Sequence, residues 1–287
     1  MSQQAARAAA PAAGVARAER AAWDKIAPGY DRTNTPTQMW LGNEGLRRAG
    51  LRSGMRFLDV AAGSGALSIP AARSGARVLA TDQSPVMLEL LTARAQGEGL
   101  DIETRVMDGH ALEVRDGSFD MAGSQFGVML FADMPKGVSE MARVVKAGGQ
   151  VLMIAYGDPH RIEFFDFLVR AVQAVRPEFT GPPMDPAPLP FQLQDPRRLR
   201  EVLTNSGLKD VSVETITEAT EFRDGKDLWD WLIYSNPIVE GVLGELQLTA
   251  EERVTIEQTL EQQVRERAHA NRAAILTNPI NIGVGTK

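Results

Sequence analysis

Three acids and one glycine turn carry the chemistry that this chain can do. In Phe57-Leu58-Asp59-Val60-Ala61-Ala62-Gly63-Ser64-Gly65 an apolar run at 55–60 reads as a buried parallel strand. A small-residue turn and a helix pattern at 66–73 follow at once. Gly63 and Gly65, lacking Cβ, allow a tight turn and a close approach to a ligand facing the next helix N-terminus. The strict dinucleotide fingerprint requires a third glycine where Ser68 stands. Asp59, just before the turn, would repel a pyrophosphate and suits a cation. That combination favours S-adenosylmethionine, whose sulfonium and ammonium are both positive. Asp82 ends the next strand about 20 residues past the turn, where an acid holds ribose hydroxyls; Gln83 follows it. Asp108 ends a third strand before Gly109 and His110. Its carboxylate suits an adenine amino group, and the next backbone N–H suits the ring nitrogen.

Strands and helices must place those acids along one edge. The pattern alternates through 55–60, 66–73, 76–81, 85–96, 102–107, 119–124, 134–145 and 150–155. Such alternation predicts a parallel sheet with right-handed crossovers and ligands beyond the carboxyl strand ends. The fold class is α/β: a Rossmann-like, doubly wound, mostly parallel seven-stranded sheet with a helical lid or insertion. After Tyr156 the alternation breaks. A helix at 161–175 leads into a proline-dense segment, 177–196, whose length suits a lid or binding loop. Asp195 caps a helix that Gly207 stops. A strand at 211–216 follows, then helices at 226–234, 239–246 and 249–274, the last with a Thr249/Glu252 capping box. A strand at 280–284 closes the chain. Ahead of the sheet, residues 1–14 read as a flexible tail, and helices are expected at 15–26, ending before Pro28-Gly29, and at 37–49.

From Trp23 to about Tyr156 the chain resembles class I S-adenosylmethionine-dependent methyltransferases. Within them it is similar to the ubiquinone/menaquinone-biosynthesis C-methyltransferase group. The residues that carry the likeness are Tyr30-Asp31-Arg32-Thr33-Asn34, the 58–65 loop, Asp82, Asp108-Gly109, Gln125-Phe126-Gly127 and Arg143-Val144-Val145-Lys146-Ala147-Gly148-Gly149. The last is similar to the family's Arg-Val-Leu-Lys-Pro-Gly-Gly turn. Ala61 stands where many relatives have glycine, and Gln125 where the quinone enzymes have serine. The resemblance implies cofactor contacts from Tyr30, Asp59, Ala61, Gly63, Ser64, Gly65, Asp82, Gln83, Asp108, Gly109, His110, Gln125 and Phe126. It also implies one domain at 15–287, with a helical cap at 15–50 and lid insertions at 157–207 and 224–275.

Methyl transfer from a sulfonium depends chiefly on alignment, since the leaving group is already good. A base is needed only when the acceptor must lose a proton. His160, after the strand ending at Tyr156, and His110 are the candidate bases; Asp158 and Glu163 qualify on position alone. His269 reads as a surface residue of the last helix. Phe165, Met184, Trp229 and Tyr234 belong to segments expected over the active edge, and would suit a hydrophobic small-molecule acceptor. The leading expectation is C- or O-methylation of a quinone-type or secondary-metabolite acceptor. The alternative is a protein that binds S-adenosylmethionine without transfer, as a cation-assisted cyclase or a structural partner. A nicotinamide oxidoreductase is disfavoured by Asp59 and Ser68.

Composition narrows the classes further. Zero cysteines remove disulfides and thiolate catalysis, and three scattered histidines argue against a metal site. A net charge of −6 without a Lys/Arg run argues against nucleic acid. No apolar stretch reaches the roughly 18 residues of a membrane span. The alanine- and arginine-rich start lacks the apolar core of a signal peptide, so cytoplasm is the expected location. Val15, Trp23 and Ile26 give the 15–26 helix an apolar edge that would cover the cofactor or join two copies in a homo-oligomer.

Overall fold

A computed structural model describes residues 3–268 and 273–287, with side chains from residue 17 onward. The chain runs α1 (Gln3–Thr33), α2 (Thr35–Arg48), β1 (Arg56–Val60), α3 (Ser68–Arg73), β2 (Arg77–Asp82), α4 (Pro85–Gly97), β3 (Ile102–Val106) and β4 (Phe119–Gln125). It continues through α5 (Met134–Val144), β5 (Val145–Tyr156), α6 (Glu163–Gln173), α7 (Pro196–Asn205), β6 (Lys209–Phe222), α8 (Gly225–Ser235), α9 (Pro237–Glu245), α10 (Ala250–Arg267) and β7 (Ala274–Thr286). The seven strands are ordered β3-β2-β1-β4-β5-β7-β6. The first five are parallel, and β7 runs antiparallel to both β5 and β6. This is the doubly wound sheet that the alternation implies. Strand order reverses between β1 and β4, and a crevice opens beyond their carboxyl ends.

Several boundaries depart from the sequence reading, each for a tertiary reason. Helix α1 begins at Gln3, so the flexible tail expected at 1–14 is helical from there on; alanine has the highest helix propensity. The same helix passes through Pro28-Gly29 instead of ending before them. An interior proline costs about 3 kcal/mol, offset here by packing: a Cβ on Gly29 would stand 2.3 Å from the Tyr234 ring. The ribbon of β6 and β7 extends well past 211–216 and 280–284, because the two strands pair from Lys209↔Thr286 to Phe222↔Ala274. Helix α10 accordingly ends at Arg267, and His269 lies outside the described residues.

Two large cores divide the described residues, with a small third one of Ala62, Ala80 and Leu91. The larger holds the sheet: Phe57, Leu58, Met121, Val151 and Leu152 are sealed in it, with Leu199 and Leu203 of α7. Helix α7 therefore belongs to the sheet and not to the lid that 157–207 was expected to form. The smaller core joins α6, α8, α9 and α10 around Phe167, Leu228, Trp229, Trp231 and Leu260. This second core is the helical insertion packed on the far end of the β6–β7 ribbon through Phe222, Ala274 and Leu276.

Candidate functional site: a cofactor cleft joined to an apolar cavity

Beyond β1, β2 and β4 lies a cleft of about 320 Å³. Gly65, with φ +104°, adopts a conformation that L side chains avoid, and a Cβ there would stand 3.1 Å from both Ile69 and Leu91. Ala61 is left-handed too, at φ 55°; that is the physical reason relatives place glycine there. Gly63 N–H donates to Asp82 Oδ2 at 2.9 Å and Ser84 N–H to Asp82 Oδ1 at 2.8 Å. The strand-end acid thus clamps the turn and opens the next helix. Phe126, at φ 58°, is a strained residue between β4 and the following turn. Helix α1 roofs the cleft, held by Arg94–Asp31 at 2.6 Å, by Ser84 Oγ donating to Asp24 at 2.6 Å, and by the Lys25–Glu240 ion pair to α9.

The cleft is acidic. Glu19, Asp59, Asp82 and Asp108 line it, and no Lys or Arg does among the described residues. Asp59 is sealed at 0 % exposure; Ser68 Oγ donates to its Oδ2 at 2.6 Å, while Oδ1 has no partner among the described residues. Burial pushes the Asp59 pKa up to about 7, against the Ser68 bond that lowers it, and neighbouring Asp82 adds to the rise. Burial also raises Asp82, against the backbone N–H donors from Ser84 and Gly63. A buried carboxylate with a free oxygen and no cationic neighbour calls for a cation. The sulfonium and ammonium of S-adenosylmethionine fit that need; a pyrophosphate does not.

A second cavity, of about 110 Å³, adjoins the first. Tyr30, Phe126, Trp23, Leu130, Asn236 and Ile238 line both. Apart from Gln38, Tyr156 and Ser235 its remaining wall is apolar, with Phe164, Phe165 and Leu168 of α6, Phe179 and Phe191 of the proline-rich segment, and Leu232 and Val239 of α8 and α9. Gln192 Nε2 pins that segment to the carbonyls of Met129 (2.9 Å) and Phe131 (3.0 Å). Tyr156 stacks on Phe126, ring centres 4.4 Å apart and planes at 18°. Tyr30 donates its hydroxyl to Gln38 Oε1 at 3.0 Å, and burial raises its pKa first, with Asp82, Asp59 and Glu218 adding to it.

Most of the cofactor-side residues read from sequence meet in the cleft: Tyr30, Asp59, Ala61, Gly63, Asp82, Gln83, Asp108, Gly109, His110, Gln125 and Phe126. Ser64 and Gly65 do not line it. Ser64 is buried with its hydroxyl 2.5 Å from that of Thr35, so it braces the turn from behind. The acceptor-side residues fare differently. Phe165 lines the apolar cavity, but Met184, Trp229 and Tyr234 do not. Trp229 sits one turn before Leu232 in the second core, and Met184 packs beside that core. Tyr234 lies two positions past Leu232, about 200° round the helix, and faces Gly29 and Arg32 of α1.

Neither histidine reaches the apolar cavity. His160 is exposed in a short turn capped by Asp158, outside both spaces, and so stands away from the transfer geometry expected of it. His110 lines the cleft, bonded through Nδ1 to Asp108 at 2.8 Å, its ring tilted 30° to that of Phe131 with centres 4.3 Å apart. The reading from sequence passed over Gln38, Tyr156 and the Asn236–Ile238 turn. The position of Tyr156, at the carboxyl end of β5, was the one signal available for it.

Comparison with known proteins agrees with this geometry. A model of the methyltransferase domain matches residues 58–153. An uncharacterized protein of Mycobacterium tuberculosis is 36 % identical over 133 residues, 46 % of this chain and 47 % of that relative. The match thus spans about half of its length. A demethylmenaquinone methyltransferase of Renibacterium salmoninarum is 30 % identical over 222 residues, 72 % of this chain and 92 % of its own. A putative methyltransferase of Bacillus halodurans shares the fold with a TM-score of 0.52 at 19 % identity, over 85 % of this chain and 97 % of that one. The doubly wound sheet with its acid-lined cleft is that of a nucleoside-binding transferase. The chain belongs to the class I S-adenosylmethionine-dependent methyltransferases, and S-adenosylmethionine is the family's cofactor.

Proposed function

We propose that this chain transfers a methyl group from S-adenosylmethionine to a hydrophobic small-molecule acceptor, at carbon or oxygen. The observation that carries the reading is the shared wall: Tyr30 and Phe126 border both the acidic cleft and the apolar cavity. A methyl cation equivalent held in the cleft would thus face an acceptor in the cavity, and alignment in a dry space supplies much of the acceleration. The bound cofactor supplies an electrophilic methyl on a good leaving group. Asp82 would hold the ribose, Asp59 the ammonium, and Asp108 with Gly109 the adenine. Tyr30 would cover the methionyl end.

Among the described residues no Lys or Arg lines the cavity, which disfavours carboxylate or phosphate acceptors, and its rings suit a flat or polyene-like molecule. The demethylmenaquinone relative supports a quinone-type acceptor; an apolar secondary metabolite fits the same lining. Calorimetry against S-adenosylmethionine and NAD tests the cofactor, with micromolar binding expected only for the first. S-adenosylhomocysteine released with an acceptor identified by mass spectrometry of the purified protein tests the transfer. Binding of S-adenosylmethionine with no S-adenosylhomocysteine formed on any apolar acceptor would leave a binding protein without transfer.

A further inference from the structure

The apolar cavity holds one amide that the protein leaves half used. Gln38 of α2 lines that cavity and is 3 % exposed. Its Oε1 accepts from the Tyr30 hydroxyl at 3.0 Å, whereas its Nε2, with two N–H groups, has no partner among the described residues. That nitrogen is not sealed among neighbouring atoms, and the open space it meets is the cavity. Its position is fixed from several sides. Gln125 Nε2 donates to the Gln38 carbonyl at 3.0 Å. One turn on, a Cβ at Gly42 would stand 2.5 Å from the Ala66 carbonyl, so α2 lies hard against the glycine turn of the cleft. The other polar groups of the cavity differ. Ser235 Oγ donates to the Leu232 carbonyl at 2.8 Å. Asn236 Oδ1 accepts from Ile238 N–H at 2.9 Å, and Asn236 is half-buried where cleft and cavity meet, within reach of water. The Tyr156 hydroxyl has no partner among the described residues, but a hydroxyl both gives and accepts. Gln38 offers a fixed donor whose acceptor is already taken.

N–H groups that face an apolar space are costly unless a ligand supplies their acceptor, and a methionine would line the same space without that cost. We propose that Gln38 determines acceptor specificity by donating from Nε2 to an oxo oxygen, so that the acceptor is an uncharged aromatic or polyene-like molecule bearing a ketone or quinone carbonyl. The idea rests on the acceptor reading of the cavity above and narrows it. A carbonyl oxygen only accepts, which matches a nitrogen that only donates. A carboxylate or phosphate would accept too, yet among the described residues no cation lines the cavity to offset its burial. A plain hydrocarbon leaves the N–H groups unpaired. A site built to bond one polar group rejects the analogue lacking it far more strongly than a pocket rejects a missing methylene. Tyr30 shares the same amide and borders both spaces, so the anchored oxo group lies beside the shared wall, next to the cofactor side. Gln38 orients the acceptor there and adds no proton or electron transfer to the reaction.

Two probes that share a skeleton and differ at one oxygen, 2-acetylnaphthalene and 2-ethylnaphthalene, test this without turnover. Equilibrium dialysis, with S-adenosylhomocysteine filling the cleft, gives both affinities, and their ratio cancels general changes in the cavity. The double variant Tyr30→Phe/Gln38→Met removes the donor together with its partner and leaves no orphan hydroxyl. It should lower the ketone-to-hydrocarbon affinity ratio by roughly fivefold to tenfold. Tyr30→Phe alone should keep the ratio, which separates Nε2 from the Tyr30 hydroxyl. An unchanged ratio in the double variant, or a ratio lost in Tyr156→Phe instead, would overturn the assignment. A second measurement needs no variant. With protein in excess, the carbon-13-labelled carbonyl of bound 2-acetylnaphthalene should resonate downfield of its position in hexane, as hydrogen-bonded carbonyls do. Resonance at the hexane position, or failure of the ketone to bind, overturns the oxo anchor as well. Calorimetry on the parent separates the two readings: no binding of S-adenosylmethionine sinks the methyl-transfer reading, whereas a missing ketone preference with cofactor binding intact sinks the oxo anchor alone.

Discussion

The cleft and the cavity share a wall but are built by opposite means. The cleft carries the charge, with acids at the ends of β1, β2 and β3 set among apolar side chains and backbone in left-handed turns. Its side chains are fixed by the sheet, and its unpaired Asp59 oxygen is a deficit that a cation repairs. The cavity is apolar, made of α6, α8, α9 and a proline-rich loop with a core of their own. A site fixed by backbone and charge accepts one ligand class; a site fixed by side-chain packing can be re-cut without touching the first. On the proposed reading, cofactor and acceptor selectivity should be separable away from the shared wall.

The sharpest test of that separation is Trp229→Ala. Trp229 is 7 % exposed in the second core, and its removal should cost about 3–5 kcal/mol of stability. Thermal melting should show the loss, while the folded protein binds S-adenosylmethionine as before. A weakened cofactor affinity in the folded fraction would couple the two regions. Asp82→Ala acts on the other side. It removes the acceptor for the Gly63 and Ser84 N–H groups as well as the proposed ribose contact. Affinity should fall by one to two decades, roughly 1.5–3 kcal/mol, and an unchanged dissociation constant in calorimetry rejects the assignment.

Acid–base linkage gives a third test. The Asp59 carboxyl, with its folded pKa near 7, is above its ordinary 3.8. Its contribution to stability is fully present below about pH 4 and is lost as pH rises through 7. A bound cation reverses the preference by favouring the ionised form. S-adenosylmethionine affinity should therefore weaken as pH falls below 7, by up to about tenfold per unit. Asp59→Asn should flatten that slope, although Asp82 next to it also titrates upward. A slope that persists in the variant would assign it to Asp82 instead.

Smaller effects complete the contrast. Phe165→Ala should raise the Michaelis constant of the acceptor severalfold and leave that of S-adenosylmethionine unchanged; equal changes in both would mean that the wall is not selective. His160→Gln should leave turnover within about twofold, since an exposed residue outside both spaces contributes little. A large loss in that variant would restore histidine as the base.

Much of the cleft was legible in sequence because its signals are local. Asp59, Asp82 and Asp108 each end a short apolar run, and Gly63 and Gly65 mark a turn that only small residues can make. Strand alternation then gives the sheet, and the sheet brings the three ends together. Gln38 and Glu218 gave no such signal. Past Ile216 the run Thr217-Glu218-Ala219-Thr220 has no apolar alternation, and it is strand only because β7 pairs with it. Trp229 and Tyr234 were placed on the correct helix but on the wrong faces, since a helix shows which residues cluster and not which neighbour they meet; Met184 of the proline-rich loop packs beside the second core instead. The sequence by itself therefore determined the cofactor half, whose chemistry is held within contiguous strand–turn–helix units. Tertiary packing decided the apolar cavity, because its lining is assembled from segments more than a hundred residues apart whose orientation only their shared core fixes.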